Sequence, residues 1–150
     1  MIRIVVDTNI WVRALLRGPV TLPFLHYWQD GRLEVVLSDY LFSELLEVID
    51  RPRLRGKVSG LALSRLIRRV RTHAVWVEVT TTPPGCRDPK DRPVLSTAID
   101  GRAHAILTGD SDMRGDDELR AAMASYGVEL WGIQTLIERV DEPGSGASLA

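Results

Sequence analysis

Ile2-Arg3-Ile4-Val5-Val6-Asp7 is the stretch on which the fold turns. It is a short run of β-branched apolar residues, interrupted only by Arg3, and it reads as a strand buried on both faces. Strands of that kind belong to parallel sheets with helices above and below. The run also ends on an acid. An aspartate delivered by such a strand arrives in a partly dehydrated place, where an unpaired charge is costly.

Outward from this strand, the pattern alternates. Ile10, Trp11, Ala14 and Leu15 mark one face of a helix, broken at Gly18-Pro19, and a second short helix is expected from Pro23 to Asp30 with Gly31 as its stop. Leu33 to Leu37 reads as a second strand. Ser38 or Asp39 can cap a helix that runs to about Asp50 and is closed by Arg51-Pro52. Leu61 to His73 is helical, with Leu63, Leu66, Ile67 and Val70 inward and Arg65, Arg68 and Arg69 outward. Val75 to Val79 alternates like an edge strand. A proline-bearing loop from Thr80 to Lys90 leads to Asp91, which opens a helix with Val94, Leu95, Ala98 and Ile99 inward. Pro93 is tolerated there because it falls in the first turn. Ala105 to Leu107 is a strand, Glu118 to Tyr126 a helix, Val128 to Trp131 a strand and Ile133 to Val140 a last helix. The expected class is therefore α/β, a parallel sheet covered on both faces. Residues 1–140 form one domain, and 141–150, with Pro-Gly-Ser-Gly-Ala-Ser, form a disordered tail.

Composition removes several function classes. At 150 residues, with 45% apolar and 26% charged residues, the chain has enough to bury a core and is not a disordered or collagen-like sequence. It lacks an apolar stretch of the roughly 18 residues needed for a membrane span, and Asp7 and Asn9 interrupt the first apolar run before it resembles a signal peptide. The single cysteine, Cys86, excludes an internal disulfide and a cysteine-based zinc cluster, which suits a reducing cytoplasm. Net charge is −1, but its distribution is uneven: eight basic residues and no acid lie between Arg51 and Arg71, against 20 acids and 11 basic residues elsewhere. A chain so divided can hold a cation in one place and attract phosphate at another.

The acids then need placing. Ligands of open parallel sheets collect beyond the carboxyl ends of the strands. Asp7 follows the first strand, and Asp110 follows Ala105–Leu107 after Thr108-Gly109. On the third helix the apolar stripe is centred among Leu41, Phe42, Leu45 and Ile49, so Glu47 is solvated, while Glu44 and Asp50 border the stripe on opposite sides. Periodicity does not choose between those two. Asp91 is a good helix cap and can still offer a carboxylate beside partly positive amides, whereas Asp88, before Pro89, reads as a turn former. Several acids converging on one rim repel unless a cation sits among them. Hard oxygen donors suit Mg²⁺ or Mn²⁺, and the three histidines have no zinc-like spacing. One or two such ions, roughly 3.5–4 Å apart if two, support phosphodiester hydrolysis.

Four short motifs now stand in order. Ile4-Val5-Val6-Asp7-Thr8-Asn9, Ser38 with Ser43-Glu44-Leu45-Leu46, Cys86-Arg87-Asp88-Pro89-Lys90-Asp91 with Leu95 and Ala98, and Leu107-Thr108-Gly109-Asp110-Ser111-Asp112 resemble the motifs of PIN-domain nucleases. Any one is weak; four in sequence, covering residues 2 to about 140, are specific. The resemblance implies a three-layer α/β/α sandwich with a parallel five-stranded sheet in the order 3-2-1-4-5. It implies acidic metal ligands at Asp7, Glu44, Asp91 and Asp110, with Asp112 as a fifth acid and Asn9 and Thr108 orienting the others. Similar bacterial proteins are VapC-like toxins of type II toxin–antitoxin pairs, which cleave RNA and are silenced by an antitoxin protein. The expected activity is thus an endoribonuclease with Mg or Mn. Two departures stand out: Arg92-Pro93 follows Asp91, where the family often has another acid or amide, and Arg114 to Glu118 is longer and more acidic than usual.

Arg65, Arg68, Arg69 and Arg92 are the candidates for RNA or partner contact, weighed against an ordinary solvated helix face. Trp11 and Trp28 are the better tryptophans for a homodimer or antitoxin surface, weighed against core packing. The competing functions are a catalytically silent PIN-like module that binds RNA or protein, and a phosphatase of the haloacid-dehalogenase type. The latter needs an acid two residues after the first aspartate, where this chain has Asn9. A phospho-accepting receiver domain fits less well, since neither paired acids in the first loop nor a lysine after the last strand is evident.

Overall fold

The computed structural model describes residues 1–18, 21–83 and 89–142. Cys86, Asp88 and nearly all of the expected tail lie outside these residues. Five parallel strands form one sheet in the order β3-β2-β1-β4-β5, from β1 (Ile2–Val6), β2 (Leu33–Leu37), β3 (Val75–Trp76), β4 (Ala105–Leu107) and β5 (Glu129–Trp131). The helices are α1 (Thr8–Leu15), α2 (Leu22–Gln29), α3 (Asp39–Ile49), α4 (Gly60–His73), α5 (Arg92–Asp100), α6 (Ser111–Arg114), α7 (Asp117–Ala124) and α8 (Ile133–Val140), with a 3-10 turn at Pro89–Asp91 before α5. This is the α/β sandwich and strand order expected of the four motifs.

The sheet is apolar through its middle. Ile4, Val5, Val35, Val36, Ala105, Ile106 and Leu107 are almost wholly buried, because helices cover both faces of β1, β2 and β4. Arg3 is the exception in its strand. It stands at the sheet's entry, where its Nε meets Glu34 Oε2 at 2.8 Å and its Nη1 donates to the Gly101 carbonyl at 2.9 Å. Helix α5 crosses β2 so closely at its far end that a Cβ on Gly101 would stand 2.4 Å from Val36 Cγ1 and 2.9 Å from the Thr97 carbonyl oxygen.

Several expectations shift, most of them by a residue or two at an element's end. Strand β3 pairs only over Val75 and Trp76, since its partner β2 ends at Leu37, whose carbonyl takes the last bond, from Val77 N–H at 2.9 Å. Helix α4 begins one residue earlier than expected, capped by Ser59 Oγ, which accepts from Ala62 N–H at 3.3 Å. Trp11 and Trp28 are each 2% exposed and meet Phe24 edge-to-face, with ring centroids 4.9 and 6.4 Å from Phe24 and 5.5 Å from each other. They are core residues, not free platforms; only their margins reach the surface.

Candidate active site

Parallel register decides which residues leave the sheet together. Val6 pairs with Leu107, so β1 and β4 end level and release Asp7 and Thr108 side by side. The Asp7 N–H is fixed to the Leu107 carbonyl at 2.9 Å, and its own carbonyl accepts from Ile10 and Trp11 N–H at 3.0 and 3.3 Å as α1 begins. With backbone tied at both ends, the side chain has little freedom. Buried Thr108 then acts in two directions. Its Oγ1 donates to Asp7 Oδ2 at 2.9 Å and accepts from Asp110 N–H at 3.1 Å. One hydroxyl thus holds both aspartates in register.

Asp110 is at once a candidate ligand and a helix cap. Its backbone is extended, and its Oδ1 accepts from Asp112 N–H at 2.9 Å and Met113 N–H at 3.3 Å, which starts α6. Glu44 comes from α3. Its Oε2 accepts from Thr8 Oγ1 at 2.8 Å, so the first residue of α1 reaches across to it. Asp50, left equally open by periodicity, sits exposed at the end of α3 and faces Arg55 at 3.5 Å. Burial pushes the Asp7 carboxyl above its ordinary range; hydrogen bonds from Thr108 and Thr8 counter this, and the charges of Glu44 and Asp110 reinforce it. Those three acids therefore share one electrostatic neighbourhood.

Asp91 stands half-buried where the 3-10 turn runs into α5. It takes the cap position without the expected capping bond. Two causes are visible: its backbone is already helical (φ −82°, ψ −14°), and Pro93 removes the amide that a cap would first bind. The helices carrying Glu44 and Asp91 are joined by a buried hydroxyl pair. Ser38 Oγ and Thr97 Oγ1 lie 2.9 Å apart. Thr97 donates to the Pro93 carbonyl at 2.7 Å and Ser38 accepts from Leu41 N–H at 3.4 Å. Proton accounting then makes Ser38 the donor to Thr97.

Among the described residues, no three His, Cys, Asp or Glu side chains are arranged as a ready-made metal cage. The donor chemistry nonetheless fits a small hard cation. Mg²⁺ keeps several waters and commonly takes only one or two carboxylates from protein, which is what Asp7 and Asp110 offer.

A family profile described as PIN domain matches residues 3–112, most of the chain, including Asp7, Glu44, Asp91 and Asp110. The chain belongs to the PIN-domain family. No curated protein and no solved structure matches it. PIN domains are commonly nucleases and generally use divalent metal ions.

Within this PIN domain the remaining candidates separate. Asn9 is exposed and hydrogen-bonds neither aspartate; Thr8, one residue earlier, does the orienting work expected of it, for Glu44. Asp112 is exposed two residues beyond Asp110, and Arg92 is exposed at the start of α5 beside Asp91. Arg65 and Arg68 line an apolar groove of about 550 Å³ between α1, α2 and α4, reached also by the margins of Trp11 and Trp28. Arg69 is differently placed. Its Nη2 donates to the Trp28 carbonyl at 3.0 Å and its guanidinium stacks 5.2 Å from the Trp28 ring centroid, so it packs the groove's floor.

Sequence reading passed over Arg13. Its guanidinium lies on Gly109, where a Cβ would stand 2.9 Å from Arg13 Nη1. This puts a cation beside the peptide that carries Asp110. The spacing held a signal, since Arg13 is one helical turn beyond Asn9 and so shares its face. No helix among the described residues is long and apolar enough to cross a membrane.

Proposed function

We propose that this PIN domain is a Mg²⁺- or Mn²⁺-dependent endoribonuclease, the toxin of a toxin–antitoxin pair. One observation carries the reading: Thr108 binds Asp7 with its hydroxyl hydrogen and Asp110 with its oxygen, while Glu44 adds a third negative charge felt by Asp7. Such a cluster costs stability without a cation and is suited to receiving one.

Asp7, Asp110 and Glu44, with Asp91 from α5, would hold the ion or ions. A bound divalent ion supplies a hydroxide-like nucleophile and neutralises charge on the phosphate. The chain's own part is positional. Thr108 and Thr8 fix the carboxylates, and the backbone amides of residues 112 and 113 orient Asp110. Arg13, on Gly109, can meet a phosphate oxygen at the same mouth.

The 550 Å³ groove is where we place the antitoxin. It is largely apolar, with the Arg69 guanidinium folded onto Trp28, and bordered by Arg65 and Arg68, a surface suited to an amphipathic helix with acidic flanks. A second reading keeps the fold and omits cleavage: a silent module that binds RNA or protein. The absence of a preassembled three-acid cage among the described residues favours it. Incubating labelled RNA with Mn²⁺, with and without chelator, beside Asp7→Asn separates the two. Cleavage by wild type that both chelator and substitution abolish supports the nuclease. Intact RNA under all conditions, with retained binding, supports the silent module.

A further inference from the structure

A second cavity, of about 500 Å³, opens along the outer side of β5 between α7 and α8. Its walls include Arg114, Arg120 and Arg139, with Glu129 as the one acid. Glu129 pairs with Arg139 at 3.3 Å. Among the described residues, Arg114 and Arg120 meet no carboxylate within ion-pair distance, so the cavity keeps a positive surplus.

Two buried donors there have no acceptor among the described residues. Trp131 is 4% exposed, lines the cavity, and its indole Nε1–H has no partner; Arg114 Nε is likewise buried and unmatched. Buried donors are nearly always satisfied in folded proteins; Trp11 Nε1 and Arg69 Nε on the apolar groove are unmatched too, but only beside β5 does such a pair coincide with a cavity whose arginines outnumber its acid. Two further features aim positive charge at the same place. Helix α8 starts at Ile133 with no side-chain cap on its first amides. Glycine at 132 lets the Arg114 guanidinium lie on the backbone, since a Cβ there would stand 2.9 Å from Arg114 Nη1.

The cavity adjoins the acid mouth through the chain itself. Arg114 is one helical turn past Asp110 and its N–H donates to the Asp110 carbonyl at 3.1 Å. The Trp131 carbonyl accepts from Thr108 N–H at 2.9 Å, the residue whose hydroxyl holds Asp7. We propose that this cavity is an anion site that seats a backbone phosphate of the RNA strand lying across the acid mouth. Guanidinium forks, an indole N–H and an uncapped helix start are all donors, and a phosphodiester brings only acceptors. The strand's identity rests on the nuclease reading above; the anion site does not depend on cleavage.

The test uses the full-length ¹⁵N-labelled protein with chelator, so no bond is cut. The Trp131 indole N–H resonance, assigned with Trp131→Phe, is followed as a short single-stranded RNA is added, and separately as inorganic phosphate is added. RNA at micromolar concentration should move it, and Arg114→Gln and Arg120→Gln should each weaken RNA binding and reduce the salt slope of log affinity by about 0.7. Arg114→Lys should keep the slope while losing affinity, because charge remains and the fork is gone. An indole resonance that RNA leaves in place overturns the proposal. So does an unchanged slope in both glutamine variants with wild-type melting, or a response to inorganic phosphate as strong as to RNA, which marks a small-anion site. Cleavage in Mn²⁺ is measured separately, so a failure of the nuclease reading leaves the binding result standing.

Discussion

The two halves of this sheet's rim are built on opposite principles. Above β1 and β4, negative groups are crowded and each is held by a donor: Thr108, Thr8 and the amides of α6 each meet a carboxylate oxygen. Beside β5, positive groups are crowded and two donors, Trp131 Nε1 and Arg114 Nε, have no acceptor among the described residues. Each of the three acids has one carboxylate oxygen placed by a donor from the chain, whereas the two donors beside β5 meet no acceptor among the described residues. The lesson is that the acid half is shaped to hold its carboxylates still, while the basic half is short of acceptors, and a passing polyanion is rich in them.

That contrast breaks most sharply at the aspartates. Asp7→Asn or Asp110→Asn should lower Mn²⁺-dependent RNA cleavage by more than about 100-fold, since even outer partners of metal ligands are worth 10–100-fold. Single-turnover rates would show it, and near-wild-type rates would remove the acid half from the chemistry. Thr108→Val should cost about 10–100-fold, read as a higher Mn²⁺ concentration at half-maximal cleavage. Its loss leaves Asp7 Oδ2 and Asp110 N–H without their shared partner.

Smaller effects concern the scaffold under the acids. Ser38→Ala should destabilise the fold by about 1–2 kcal/mol through a lost cap and the lost bond to the Thr97 hydroxyl oxygen. Denaturant unfolding would measure it, and adding Thr97→Val should cost less than the two separate losses combined. Asp7 offers the opposite sign. Its folded-state carboxyl stands above the ordinary 3.8, so the folded protein binds that proton more tightly than the unfolded chain. The resulting stabilisation is present at low pH and is lost as pH rises through the raised value. Asp7→Asn should therefore melt higher than wild type at neutral pH in chelator, and the gap should close on acidification. A variant that melts far lower at neutral pH would make Asp7 a structural cap. Smallest should be Arg65→Glu with Arg68→Glu, which alters the salt dependence of partner or RNA binding without lowering the melting point. Arg69→Ala, by contrast, removes a bond to Trp28 and should destabilise.

Much of this architecture was legible before any coordinates. β2 and β4 have the expected bounds because buried parallel strands announce themselves as unbroken apolar runs. Helix α6 was missed for a physical reason: four residues make one turn and cannot display periodicity, and only the Asp110 cap marks its start. Leu54 was missed as a core residue because it sits among arginines in a turn, yet it is 8% exposed. The choice between Glu44 and Asp50 could not be made along one helix, because it depends on Thr8, 36 residues away. The same is true of Arg114, whose role depends on a glycine across the chain at 132. Pairings between distant segments are what a pattern of periods leaves out.

The tight seat of Gly101 on Val36 makes α5 a lever. Its nine residues span about 14 Å from that pivot to Asp91, so a tilt of only a few degrees would carry the carboxylate by roughly an ångström. Gly101→Ala is thus a mutation on the far side of the sheet that would retune the mouth by leverage, with no charged group altered anywhere.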